Sequence, residues 1–306
     1  MTVYDVFFFF AIYSVIGWMI EVSYHAIKQG VVVNRGFLNG PLCPIYGSGM
    51  IIIFMVLYGV GKVTGKNTDV NHASVILLFV VGLCFCTLVE LVTGFVMDKL
   101  FHTRWWDYSK EKFNFKGYIC LYFSILWGLG AAFVLKVLCP AVEKLKNFIP
   151  VKAGIVFLIV YYIVFIADVV VTILTILEFT RRLEKMQDIQ NGIRKISDNM
   201  SKFVGGGTIK TMEKVEEGRE FAEKAREEIV ETAGELKDSY NEKLDEYEDR
   251  LKEMYRKMRR TKFFGIGRLA RAFPNMNSVR YKESLDRLKE YFKNQINDND
   301  KETESK

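Results

Sequence analysis

Glu21, Glu90 and Asp168 stand inside long apolar runs of this 306-residue chain. An ionisable group in such a run costs about 2.5–3.5 kcal/mol to place in hydrocarbon, so each should have a partner or a task. Arg35 and Arg104 follow Glu21 and Glu90 in the next polar stretches, and a guanidinium can hold a carboxylate through two parallel hydrogen bonds. Two readings stay open for Glu21 and Glu90. Either they are salt bridges that lock the apolar segments together, or they mark a substrate, proton or ion site. Asp168 reads as structural.

Around these acids lie two polar loops. The first, Asn34-Arg-Gly-Phe-Leu-Asn-Gly-Pro-Leu-Cys-Pro-Ile-Tyr-Gly47, is dense in turn formers. Gly36 and Gly40 permit tight backbone and Pro41 and Pro44 stiffen it, so the loop is expected to be ordered and packed, or re-entrant. The second, Arg104-Trp-Trp-Asp-Tyr-Ser109, sets aromatics beside charges. Trp105 and Tyr108 fit an aromatic belt at headgroup depth. Asp107 does not, and is expected to accept from a loop-one donor such as Arg35. The candidate binding residues are therefore Glu21, Asn34, Arg35, Asn39, Tyr46, Glu90, Arg104, Trp105, Trp106, Asp107, Tyr108 and Asn114.

These residues need helices to hold them. Half of the residues are apolar and a quarter charged, but the charges gather after Glu178. Before that point five apolar stretches reach the length needed to cross a ~30 Å hydrocarbon core, about 3–27, 45–63, 73–97, 118–138 and 153–177. The expected fold is all-α, a polytopic bundle in residues 1–178 followed by a charged helical tail. All five prolines fall outside these limits, as expected where lipid cannot replace a lost backbone donor. Val3–Ile27 lacks a basic leader and a small-residue cleavage site and reads as a retained span. With the N-terminus outside, the cytoplasmic loops and span ends carry ten Lys or Arg against six outside, which favours N-out and C-in.

A faint repeat runs through the spans. Glu21, Asn34 and Gly40-Pro-Leu-Cys43 are echoed by Glu90, Asn114 and Gly117-Tyr-Ile-Cys120, suggesting two parallel helical hairpins plus a fifth helix. Five scattered cysteines give no disulfide framework, and neither cysteines nor histidines form a metal or cofactor motif.

The stretches Gly17-Trp18-x-x-Glu21, Asn34 to Gly47 and Arg104 to Ser109 resemble the signatures of the bacterial "putative ABC-transporter permease, type IV" family. Asn114, Gly117, Cys120 and Trp127-Gly128 extend the resemblance over residues 1–180, and Arg268-Leu-Ala-Arg-Ala-Phe-Pro274 resembles a segment of clostridial members. The resemblance implies a multi-pass protein of the bacterial cell membrane and a part in transport. No Walker A motif is found, so any ATPase would be a separate protein. The Glu-Ala-Ala coupling loop of importer permeases is also not found.

In the tail, Leu183, Met186, Ile189, Ile193, Ile196, Met200 and Phe203 form a coiled-coil-like stripe. It extends span 5 over 179–204 and offers a homodimer contact through 183–203. Gly205-Gly-Gly207 is expected to end this helix. A long helix of about 80 Å should follow from Ile209 to Lys262. Its apolar positions from Ala222 to Met258 recur with a period of about 3.6, suiting a nearly straight rod. Residues 256–282 then hold nine Lys or Arg and no acid. Arg256, Lys257, Arg259, Arg260, Lys262, Arg268 and Arg271, interleaved with aromatics, are suited to anionic lipid. In a compatible reading this stretch is a turn within 208–296, with Ser278 capping a return helix whose Leu285, Leu288 and Phe292 pack on the long one. Nucleic acid is not an expected partner, and 297–306 reads as disordered.

Three functions remain at this level. The first is a permease-like component with its site where the hairpins meet at the cytoplasmic face. The second is a membrane enzyme acting on a lipid or prenyl substrate. The third is a scaffold that works through its tail.

Overall fold

A computed structural model describes residues 1–30, 32–64, 70, 72–214, 230–231, 234–235, 237–250, 252–253, 268–269, 272–273 and 275–290. The chain is almost wholly helical. Helices α1 (Val3–Gln29), α2 (Pro44–Thr64) and α3 (Val75–Phe101) precede a two-stranded ribbon, β1 (Asn114–Phe115) and β2 (Ile119–Cys120). After it come α4 (Leu121–Phe133), a π-turn (Val134–Leu138), α5 (Cys139–Phe148) and α6 (Val151–Lys214). Five of the described helical stretches are long and apolar enough to cross a membrane, with α4, the π-turn and α5 counting as one.

Local chemistry fixes the helix ends. Thr2 and Asp5 form a reciprocal capping box at the start of α1, an arrangement whose cap contributes about 1 kcal/mol. Ser74 caps α3. Gly30 ends α1 in the left-handed region at φ 70°, where glycine has no Cβ penalty.

Two expected boundaries move. The helix of span 4 does not stop before Pro140 but continues through the π-turn and α5 to Phe148. Proline cannot donate, and its ring crowds the carbonyl four residues back. The chain absorbs this by widening into the π-turn, where Cys139 N–H donates to Val134 O, and Pro140 then sits in the first turn of α5. Nor does Gly205-Gly-Gly207 end the fifth helix, because α6 runs through it to Lys214. Glycine costs about 1 kcal/mol per residue in a helix but, unlike proline, still donates its backbone hydrogen bond.

By contacts the chain divides into two compact units, residues 1–180 with 261–280, and residues 181–260 with 281–306. In the first unit α1 packs mainly on α2, α3 on α4, and α2 on α3. The core contains Phe8, Phe9, Tyr13, Ile53, Phe54, Leu57, Leu78 and Leu135. Lipid tails are as apolar as these side chains, so close packing, not water exclusion, must hold the helices. Gly82 supplies one such approach, since a Cβ there would collide with Ala131. Lys146 of α5 pairs with Asp5 of α1 at 2.8 Å. The apolar residues Val156, Ile159, Val160, Ile163 and Val164 of α6 are exposed, as a lipid-facing helix requires.

In the second unit Leu183, Met186, Tyr247, Leu285 and Leu288 are buried. Arg194 pairs with Glu283 at 2.8 Å, Ser284 donates to Gln187 at 3.1 Å, and Arg287 lies over the Tyr247 ring. Most of the expected 209–262 helix, with Ala222, Ala225, Ile229, Ala233, Leu236, Leu251, Met254 and Met258, lies outside the described residues, as does Phe292.

Candidate functional site

A cavity of about 570 Å³ opens between α1, α2, α3 and α4 on the side of the two polar loops. Glu21, Arg35, Tyr46, Glu90, Tyr108 and Trp127 line it. Glu21, two turns before the end of α1, accepts a hydrogen bond from the Tyr46 hydroxyl at 2.7 Å. It also pairs with Arg35 Nε at 3.5 Å, the partner expected from the sequence. Gly17 makes the first contact possible, because a Cβ at that position would run into the Tyr46 ring. Glu90, only 4% exposed, accepts from the Tyr108 hydroxyl and from Trp127 Nε1, each at 3.0 Å. The Tyr46 and Trp127 rings meet edge to face at 5.4 Å, so the two acids are joined through one aromatic pair. Tyr108 also stacks on Phe123 at 4.7 Å.

Loop one is packed, as its composition suggests. Asn34 Oδ1 accepts from Trp18 Nε1 at 2.7 Å and from the Gly36 amide at 3.1 Å, while its Nδ2 donates to Asn39 O at 2.7 Å. Asp168 on α6 accepts from the amides of Asn39 and Gly40 and from the Asn39 side chain. It is thus a structural anchor for the loop.

Loop two differs from expectation in its partners. Arg104 pairs with Asp98 at 2.9 Å rather than with Glu90. It also donates to Lys116 O at 3.0 Å and lies over the Tyr118 ring. Tyr118 in turn donates to Asp98 at 2.6 Å. Asp107 accepts from the Ser109 amide at 3.0 Å and from Asn277 Nδ2 at 3.2 Å, not from Arg35. The reason is proximity, since Arg35 is already held by Glu21. Trp106 Nε1 donates to Tyr118 O at 2.9 Å. Asn114 closes the turn by donating to Glu111 O at 2.7 Å and accepting from Gly117 N–H at 3.1 Å. Gly117, at φ 75°, has Ser109 and Asp107 where a Cβ would stand. Trp105 and Tyr108 are not belt residues at lipid. Trp105 is 4% exposed and lies between Phe37 and Phe273.

Part of the basic tail segment also belongs here. Arg268, expected on anionic lipid, is instead 2% exposed and donates to the carbonyl oxygens of Asn34, Gly36 and Phe37. Asn277 forms an antiparallel bridge with Arg104, and Ser278 donates to His102 O. Phe273 and Asn275 reach the cavity wall. Arg256, Lys257, Arg259, Arg260, Lys262 and Arg271 lie outside the described residues.

Electrostatics in the loops follow from these contacts. Burial tends to raise the Asp107 carboxyl, but hydrogen bonds from Ser109 and Asn277 and the charge of Arg104 outweigh it and hold it below its ordinary value. Burial pulls Arg104 down, but Asp98, Tyr118 and Asp107 together outweigh it and hold the guanidinium above its ordinary value, so its charge is reinforced. Burial brings Arg268 down to about 10, with Asp168 and Cys43 opposing. It therefore stays charged at neutral pH. Burial and then the charge of Glu90 push the Tyr108 hydroxyl up, so it stays a donor.

Asp98, Tyr118 and Asn277 were not singled out from the sequence. A Trp N–H within or beside a span needs an acceptor, and that signal could have paired Trp18 and Trp127 with nearby polar residues such as Asn34 and Glu90. Among the described residues no group of three His, Cys, Asp or Glu is placed to hold a metal.

Five membrane-length helices, four of them around one cavity walled by acids and aromatics, define a multi-pass helical membrane protein. The chain belongs to the family described as "Putative ABC-transporter type IV", which matches residues 8–173 and so takes in Glu21, Glu90, Asp168 and both polar loops. It is thus a membrane protein of a transport-related family. No characterised protein and no solved structure matches it.

Proposed function

We propose that this chain is the permease-like membrane component of a transport system, and that the cavity between its two hairpins receives the substrate. One observation carries this reading. Glu21 on the first hairpin and Glu90 on the second face a single cavity, and the loops they touch have anchors besides them. Asp168, Asp98 and Asn34 each hold a loop from outside the cavity lining. Intramembrane acids that line a cavity mark a pathway or a site. In this reading the N-terminus is outside and the loops, cavity mouth and tail are cytoplasmic. An ATPase, if one drives transport, is a separate subunit.

Complementation of a knockout strain tests the proposal. Glu21→Gln and Glu90→Gln should each insert and accumulate as the parent does yet fail to restore the phenotype. If both restore it fully, the cavity is not the substrate site. A pull-down from native membranes that brings down an ATPase would support the ABC arrangement, and its repeated failure under cross-linking would count against it.

A further inference from the structure

Counter-charge is unevenly supplied around the cavity. Glu21 has Arg35 beside it. Lys28, also on the lining, is engaged with Tyr24 through a 3.3 Å hydrogen bond to its hydroxyl and a position over its ring. Glu90 differs: among the described residues its two donors, Tyr108 and Trp127, are both neutral. An ionised carboxylate withdrawn from water is costly until a cation meets it.

The surroundings of Glu90 suit one kind of cation. Its two donors each belong to an aromatic pair, Tyr108 with Phe123 and Trp127 with Tyr46. Ring faces attract weakly hydrated ammonium-type groups, and more strongly where water is excluded. A small metal ion would need several oxygen or nitrogen ligands, and one carboxylate with aromatic walls does not provide them. Ile16, Met50, Ala131 and Val134 add apolar surface to the lining. At about 570 Å³ the cavity falls in the range that encloses a small organic molecule.

We infer that the cavity binds an organic monocation, with an ammonium-type head against Glu90 between the two aromatic pairs and an apolar body along α1, α2 and α4. This rests on the cavity being the substrate site and specifies what that site takes.

The test uses the full-length chain in maltoside detergent, reading tryptophan fluorescence. Three probes of similar shape are titrated: benzyltrimethylammonium, 4-tert-butylbenzoate and 4-tert-butylbenzyl alcohol. The cation should quench saturably and bind at least tenfold more tightly than the anion or the alcohol. In Glu90→Gln the amide oxygen can accept from Trp127 while the amide nitrogen donates to the Tyr108 hydroxyl, which can turn to accept, so its melting temperature should stay near that of the parent while cation affinity falls at least tenfold. Equal cation binding by Glu90→Gln, anion binding as tight as cation binding, or no binding of any probe would each overturn the inference. A Glu90→Gln chain that fails complementation while the cation does not bind would leave the substrate-site reading standing without the cation. Full complementation by both glutamine variants would remove the site itself.

Discussion

Arg268 and Gly36 are 232 residues apart in sequence and joined by a buried hydrogen bond, the guanidinium donating to the Gly36 carbonyl at 2.5 Å. Its other terminal nitrogen donates to Phe37 O at 2.8 Å. A planar, always-charged fork is the side chain suited to satisfying adjacent carbonyls at once. Tail and loop one are therefore parts of one structure around the cavity mouth. Removing residues 205–306 would not be a neutral cut, because it unpairs these carbonyls along with the Arg104–Asn277 bridge.

Replacement of Arg268 by Met should destabilise the membrane unit by about 1–3 kcal/mol, the cost of leaving buried polar groups unmatched. Arg268→Lys should recover only part of this, because an ammonium cannot reproduce the fork. Thermal unfolding in detergent measures both, and an unchanged melting point for the Met variant would refute the clamp.

Asp168 should control access to Cys43. Burial, then the charge of Glu21, pushes the Cys43 thiol up to about 12, with a backbone bond, Arg268 and Arg35 pulling back. Thiolate is the reactive form, so maleimide labelling at pH 8 should be very slow in a chain whose other four cysteines are replaced. Asp168→Ala releases the Asn39 and Gly40 amides and should return the thiol toward its ordinary value near ~8.5, raising the labelling rate more than tenfold. Equal rates would mean that Asp168 does not hold the loop.

Asp107 should give the membrane unit a pH-dependent increment of stability. Its folded-state value is depressed, so between that value and the ordinary ~3.9 the unfolded chain binds more protons than the folded one. The increment is full above about pH 4 and is lost as pH falls through the lowered value. Asp107→Asn should remove this part of the pH dependence of the melting temperature, and identical profiles for the two chains would rule it out.

Gly17→Ala should be poorly tolerated. Its methyl must displace the Tyr46 ring, and overpacking of this kind costs about 1–3 kcal/mol. Since Tyr46 is then moved off Glu21, complementation should fall together with stability. Gly17→Ala/Tyr46→Ala removes the ring but keeps the Tyr46 Cβ, which also meets the new methyl, so it should recover only part of the lost melting temperature and none of the activity. A double variant no more stable than Gly17→Ala would place the clash elsewhere.

The five spans were legible because hydrocarbon leaves a chain few choices. Every backbone donor must be satisfied within its own segment, so length and hydropathy alone find the helices. The exceptions show the limit of that rule. Pro140 looked like a boundary, yet a π-turn re-registers the helix around it, and hydropathy carries no information about such a turn. Gly205-Gly-Gly207 looked like a stop, but propensity is only a weak prior.

By itself the sequence determined that Glu21 and Glu90 lie in membrane helices and that loop one is ordered, because burial cost and turn chemistry are local properties. The Glu21–Arg35 pair was readable for the same reason, as only 14 positions separate them. Which partner holds Glu90, Asp98, Asp107 or Arg268 was decided only by tertiary structure. A carboxylate or guanidinium bonds whatever packing brings within about 3 Å, and here packing brings Trp127 to Glu90 and the tail's Arg268 to the carbonyls of loop one.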